Sequence, residues 1–163
     1  MENSLLYQKD VWQNEIIKYL ELRSIIRLMS ICCFFHNNLY IVDLYHIDNA
    51  LKGKLSDDIL RQHKFRNLKY LNANDNKKIK DVSWIKTLQI LNASCNCGID
   101  QKGIEGLNLI ELNAWNNKKI KDVSWIKSLQ KLNAGGSCEI DQKGIEGLNL
   151  IGLDARGNEK IDK

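Results

Sequence analysis

The sequence predicts an α/β chain in two parts, a short helical N-terminal segment and then a solenoid of short parallel strands joined by 3₁₀ or helical return segments. Three observations predict it. One long stretch of the C-terminal half is duplicated, a shorter period of 20 or 21 residues runs through and beyond that duplication, and the N-terminal stretch spaces its apolar residues as helices do.

Residues 76–109 and 117–150 differ at six of 34 positions. The shorter period is Leu-x-x-Leu-x-Ala: Leu68/Leu71/Ala73, Leu88/Leu91/Ala93, Leu109/Leu112/Ala114, Leu129/Leu132/Ala134 and Leu150/Leu153/Ala155. Position 9 of each repeat is Asn76, Asn96, Asn117, Ser137 or Asn158, and position 12 is Ile79, Ile99, Ile120, Ile140 or Ile161. Positions 1, 4 and 6 point inward from a strand, and one coil of this length cannot bury them alone, so coils must stack and share a core. The position-9 amide is expected to turn the chain out of the strand and to bond neighbouring backbone. Asp81, Asp100, Asp122 and Asp141 suit caps of the return segments, against which Val82, Trp84, Ile85, Ile104, Leu107 and their copies pack. A unit of about 20 residues is too short for two helices, which disfavours an all-helical repeat.

This pattern resembles the leucine-rich repeat, with Ala in place of the third Leu. The resemblance spans 68–163 in five copies, the last incomplete. With no polar capping coil after it, Leu150, Leu153 and Ile161 are expected to be partly exposed.

In residues 5–39, Leu5, Leu6, Val11, Trp12, Ile16, Ile17, Leu20, Leu22, Ile25, Ile26, Leu28, Met29 and Cys32 recur at spacings of three and four. Helices are expected near 9–20, 24–32 and 34–45, with Ser24 capping the second. The run Asp10 to Leu20, then Leu22 to Leu28 and Cys32-Cys33-x-Phe35, resembles an F-box, without its usual proline (Gln8 stands there) and with Phe35 where Trp is commoner. The resemblance implies docking on the Skp-type linker of a cullin ubiquitin ligase through Val11, Ile16, Leu20, Ile25 and Leu28. The other reading is that these helices only cap the solenoid. Residues 40–67 form a linker or N-terminal cap, with an irregular strand within Ile41 to Ile47 and a capped helix start at Ser56-Asp57-Asp58.

Composition is that of a globular chain: 163 residues, 44% hydrophobic, 27% charged and a net charge of +4. No apolar run is long enough to span a membrane, and Met1-Glu2-Asn3-Ser4 lacks the basic opening of a secretory signal, so a cytoplasmic or nuclear location is expected. The odd set of five cysteines reads as reduced thiols, and neither Cys95-x-Cys97 nor Cys32-Cys33-x-x-His36 has the ligand spacing of a structural zinc site. Cys97 and Cys138 read as small residues of the turn. No nucleophile–base pair or phosphate loop stands out, since Gly-Ile-Glu-Gly at 103–106 and 144–147 lacks the Lys-Ser/Thr that grips phosphate. Neither catalysis, nor a cofactor, nor a metal is therefore expected.

Lys77, Lys78, Lys80 and Lys86 recur as Lys118, Lys119, Lys121 and Lys127, which stacking would align into a basic stripe open to nucleic acid. With positions 1, 4 and 6 buried, positions 3, 5 and 7 face outward. That face carries Tyr70 and Asn72; Ile90 and Asn92; Glu111, Asn113 and Trp115; Lys131 and Asn133; Asp154 and Arg156. Five of the six differences between the two copies fall in positions 3 to 11, as expected where a scaffold is kept while its ligand face diversifies. Trp115 is the one large aromatic on that face and the expected hot spot. The combined reading is a non-enzymatic substrate adaptor whose solenoid holds a protein target. A freestanding repeat scaffold and a nucleic-acid binder are the alternatives.

Overall fold

The computed structural model describes residues 9–16, 20–31 and 33–162. The alternation of the repeat yields one three-residue strand per coil: β2 (Tyr70–Asn72), β3 (Ile90–Asn92), β4 (Glu111–Asn113), β5 (Lys131–Asn133) and β6 (Gly152–Asp154), preceded by β1 (Asp43–Leu44). All pair parallel with their sequence neighbours, in the order β1 to β6. The chain is thus a parallel-sheet solenoid. Its register lines up Leu44, Leu71, Leu91, Leu112, Leu132 and Leu153 in one inward column.

Leu71, Leu91 and Leu112 are fully buried together with Ala73, Ala93 and Ala114, and Ile79, Ile99, Ile120 and Ile140 close the core behind them. In the last described coil Leu153 is 43% exposed and Leu150 half-buried, the partial exposure expected of them. Ile161 departs from that expectation. It is buried, because the Asn158 amide fastens its turn to the previous coil by donating to Ala134 O (2.8 Å) and Ile140 O (2.9 Å).

That fastening recurs in alternate coils only. Asn76 donates to Lys52 O (2.8 Å) and Leu55 O (3.1 Å), and Asn117 donates to Ala93 O (2.7 Å) and Ile99 O (3.2 Å). Asn96 and Ser137, which share their repeat position, are instead exposed and pair with Asp75 and Asn116 of the preceding coil. In those two coils the buried place passes to the next residue, Cys97 or Cys138. The Ile99 N–H reaches the Cys97 sulfur (3.4 Å) as the Lys78 N–H reaches Asn76 Oδ1 (2.9 Å). The repeating unit is therefore a pair of unlike coils.

Return segments alternate too. After Asp100 and Asp141 come 3₁₀ turns, Lys102–Ile104 and Lys143–Ile145, in which each carboxylate accepts the N–H of Gly103 (3.0 Å) or Gly144 (2.8 Å). After Asp81 and Asp122 the carboxylate accepts from the N–H two residues on, at Ser83 (2.9 Å) and Ser124 (2.8 Å). A Cβ at Gly103 would lie 2.2 Å from Lys80 O, and Gly106 sits at φ +69, so a close approach demands the first glycine and a left-handed turn the second.

The linker residues fold into a coil of their own. β1 opens it, α4 (Asn49–Lys52) is capped by Asp48, which accepts the Leu51 N–H, and α5 (Asp57–Leu60) is capped by Ser56. The sheet consequently has one strand more than the five repeats.

Ahead of it lie α1 (Lys9–Val11) continuing as a π-helical turn (Trp12–Ile16), α2 (Leu22–Ile31) and α3 (Cys33–Asn38). Residues 5–8, 17–19 and 32, part of the helical motif read from the sequence, lie outside the described residues. Helix α2 starts two residues earlier than expected: the N–H groups of Ser24 and Ile25 bond to Glu21 O, so Ser24 lies inside the first turn. Helix α3 ends at Asn38 rather than near 45, because Gln13 takes over the Tyr40 backbone, accepting its N–H (2.7 Å) and donating to its carbonyl (3.1 Å). Leu39, Tyr40 and Ile41 then turn into the core.

Candidate protein-binding surfaces

Strand alternation leaves the flanking residues of β2, β3 and β4 half-buried around a buried centre, and those of β5 likewise or exposed. Register gathers them into two columns. One runs Tyr70, Ile90, Glu111, Lys131, Gly152 and the other Asn72, Asn92, Asn113, Asn133, Asp154. The sequence-derived face residues are thus brought together on one sheet surface.

The second column has a structural duty. Each Oδ1 accepts the backbone N–H two residues ahead: Asn72 from Asn74 (3.1 Å), Asn92 from Ser94 (3.1 Å), Asn113 from Trp115 (3.0 Å), Asn133 from Gly135 (3.1 Å) and Asp154 from Arg156 (3.1 Å). These side chains hold the chain as it leaves each strand, which accounts for their uniformity. What the face can vary is the first column, where apolar, acidic and basic groups follow one another.

Two expected face residues are not free-standing. Arg156 forms an ion pair with Asp154, its guanidinium 2.7 Å from Oδ2, and the Arg156 hydrogen bond holds the Asp154 carboxyl below the usual carboxylate range. The Trp115 ring is half-buried and lies against Gly135 and Gly136 of the next coil. The face also extends further than expected. Tyr45, just past β1, has its hydroxyl pKa pushed up, first by burial and then by the Glu111 carboxylate. The spacing Ile41-x-x-Leu44, which matches Leu68-x-x-Leu71, was the signal that a strand lay there.

On the helical segment Ile25 and Met29 are buried, while Leu20, Leu22, Leu28 and Phe34 pack on the same core as the coils. Trp12 stacks edge-on against Phe35, with ring centroids 4.7 Å apart. Val11 and Ile16 are half-buried, and among the described residues of the segment the most exposed large apolar side chains are Ile26 (39%) and Ile31 (69%). Of the five expected linker-binding residues Ile25 is therefore buried in the common core cluster, while its neighbour Ile26 is exposed.

Four of the eight stripe lysines bond backbone carbonyls of an adjacent coil: Lys78 to Gly53 O (3.0 Å), Lys86 to Gly106 O (3.3 Å), Lys119 to Cys97 O (3.0 Å) and Lys127 to Gly147 O (3.5 Å). Lys77, Lys80, Lys118 and Lys121 remain as exposed charges. No family model, no curated protein and no solved structure matches this chain.

Proposed function

We propose that the chain is a non-enzymatic protein adaptor, in which the sheet face holds a target protein and the N-terminal helices dock on the Skp-type linker of a cullin ubiquitin ligase. The coils are read as leucine-rich repeats and the helices as an F-box. One observation carries the interaction role: a continuous sheet surface whose asparagine column is fixed by backbone capping while the adjacent column runs through Tyr70, Ile90, Glu111 and Lys131. A stable scaffold with one variable column is suited to selecting a partner. The ligase half of the reading rests on the F-box-like run and on the exposed Ile26 and Ile31 of α2.

A second reading has its own support. Ile25, Met29, Phe35 and Leu39 belong to the same core cluster as the coils, which suits a helical cap on a freestanding scaffold. Affinity capture from eukaryotic lysate separates the two. Linker and cullin in the bound fraction, lost in a folded Ile26→Asp/Ile31→Asp chain, support the adaptor. Target proteins retained without linker support the scaffold. Salt-sensitive retention of nucleic acid through Lys77, Lys80, Lys118 and Lys121 overturns both.

A further inference from the structure

The run Lys-Asp-Val-Ser-Trp-Ile-Lys occurs twice on the return segments, at 80–86 and 121–127. Its first copy holds a cation from its own chain. Arg61, the C-cap of α5 in the coil before, donates from Nη2 to Asp81 Oδ2 (3.0 Å) and lays its guanidinium over the Trp84 ring, with Cζ 5.4 Å from the ring centroid. Asp81 Oδ1 is meanwhile occupied by the Ser83 N–H (2.9 Å) and hydroxyl (2.6 Å). One carboxylate oxygen and one indole face thus make a seat for a planar cation.

The second copy rebuilds that seat. Asp122 Oδ1 accepts the Ser124 N–H (2.8 Å) and hydroxyl (2.7 Å), so the carboxylate is fixed in the same way. Both runs are also clasped alike by the preceding coil. Asp57 Oδ1 accepts the N–H groups of Lys80 (2.9 Å) and Asp81 (3.3 Å), and Gln101 Oε1 accepts those of Lys121 (2.9 Å) and Asp122 (3.0 Å). Yet among the described residues no cation pairs with Asp122 or lies over the Trp125 ring. The sequence supplies the reason. Counted from the shared clasp, Arg61 follows Asp57 at the same interval as Glu105 follows Gln101. Glu105 is the C-cap of its 3₁₀ turn, as Arg61 is of α5, and it is exposed. The cation of the first seat is thereby replaced by an acid near the second, where Asp122 is exposed and Trp125 half-buried. Lysines do not close the seat. Lys80, the counterpart of Lys121, flanks the filled seat without displacing Arg61, and neither Lys102 nor Lys143 of the adjoining coils forms an ion pair with Asp122.

We infer that the seat of Trp125 and Asp122 binds an arginine side chain of a partner protein, at a site on the return segments that stands independently of the sheet face. The chemistry selects arginine, because a flat guanidinium stacks on the indole while its N–H donates to the free carboxylate oxygen, as Arg61 does at Trp84 and Asp81. Glu105 adds a second negative charge to draw it in.

Nuclear magnetic resonance of the tryptophan indole N–H groups reads the outcome on the full chain. The probe is an end-blocked Gly-Arg-Gly peptide, and its control is the same peptide with citrulline, which keeps the shape and removes the charge. The expected result is a progressive shift of the Trp125 resonance with the arginine peptide and none with citrulline. The shift is lost in Asp122→Asn, which keeps the Oδ1 acceptor for Ser124 and removes the charge. Trp84, whose seat is filled, stays still in the wild type and responds once Arg61→Ala empties it. A Trp125 resonance that ignores the arginine peptide overturns the inference. So does an equal response to citrulline, a response undiminished in folded Asp122→Asn, or a wild-type Trp84 that moves as far as Trp125. If Asp122→Asn fails to fold, the comparison of the two peptides on the wild type decides alone. Capture of a target by the sheet face is read separately, so neither result stands in for the other.

Discussion

The indole ring of Trp115 lies on the backbone of Gly135, so closely that a Cβ there would stand 2.4 Å from ring atom Cζ3 and 2.6 Å from Cε3. Gly136 continues the platform, with its virtual Cβ 3.2 Å from Cε2. Just ahead of the other duplicated stretch the residue in the place of Trp115 is Asn74, and Ser94 and Cys95 follow it in the next coil. Two of the six differences between the copies therefore belong to the seating of one tryptophan. They need no ligand to explain them.

Gly135→Ala should cost about 1–3 kcal/mol of stability, since the added methyl must displace the ring and also meets Arg156 O at 2.8 Å. In a Trp115→Ala background the cost should shrink by about 1 kcal/mol, the coupling of a contacting pair. Chemical denaturation of the four chains checks it, and additivity within error would show that ring and glycine do not touch in solution.

Trp115→Ala alone is expected to lower stability by about 1 kcal/mol and to weaken target capture. A half-buried ring serves both packing and recognition, so the two readouts move together. Undiminished capture would place the target elsewhere than this end of the face.

Asn117→Ala should be among the costliest polar substitutions, about 3 kcal/mol, because the buried amide makes two donations and accepts the Lys119 N–H at 2.8 Å. Asn96→Ala, at the same repeat position but exposed, should cost less than about 0.5 kcal/mol. Equal losses in urea melts would mean that the alternation of coils is not real.

That contrast shows where the sequence was legible. The leucine and alanine columns gave the strand, its inward face and the parallel stacking, since burial of alternate residues is a property of each strand by itself. Alignment on Leu-x-x-Leu also placed Asn96 level with Asn76, whereas the structure puts Cys97 in the buried place. The alternation of 20- and 21-residue spacings held that information, but which residue of a turn is buried depends on the backbone of the coil beneath. The seat of the Trp115 ring is hidden from local spacing for a similar reason, being two glycines a full coil away. In the helical segment the local apolar spacing announced helices, yet the end of α3 was set by Gln13, a contact 27 residues distant.

Burial pushes the Cys97 thiol up to about 11, against the opposing Ile99 hydrogen bond and the Lys119 charge, and raises Cys138 in the same direction. A folded pKa above the unfolded value favours the native state with the thiol neutral. The contribution is thus complete below the ordinary thiol value of 9.0 and is lost as pH rises from there toward 11. Stability should fall across that window in the wild type and more shallowly in Cys97→Ala, as urea melts at successive pH values will read. At pH 8 a thiol reagent should label the exposed Cys33 and spare Cys97 and Cys138 until the chain unfolds. Prompt labelling of Cys97 in the folded chain, or identical pH slopes, would contradict this.

Among the described residues β6 pairs with β5 alone, and its central Leu153 is 43% exposed where Leu91 and Leu112 are fully buried. Opening it costs one ladder and half a core layer, so the amides of Gly152 and Asp154 should exchange at least about ten times faster than those of Ile90, Asn92, Glu111 and Asn113. The Asn158 bonds to Ala134 O and Ile140 O are what limits the fraying, and Asn158→Ala should spread fast exchange to the neighbouring amides of the last coil without reaching β4. Uniform protection across the six strands would mean that the last coil is held by contacts other than its single ladder and its asparagine clasp.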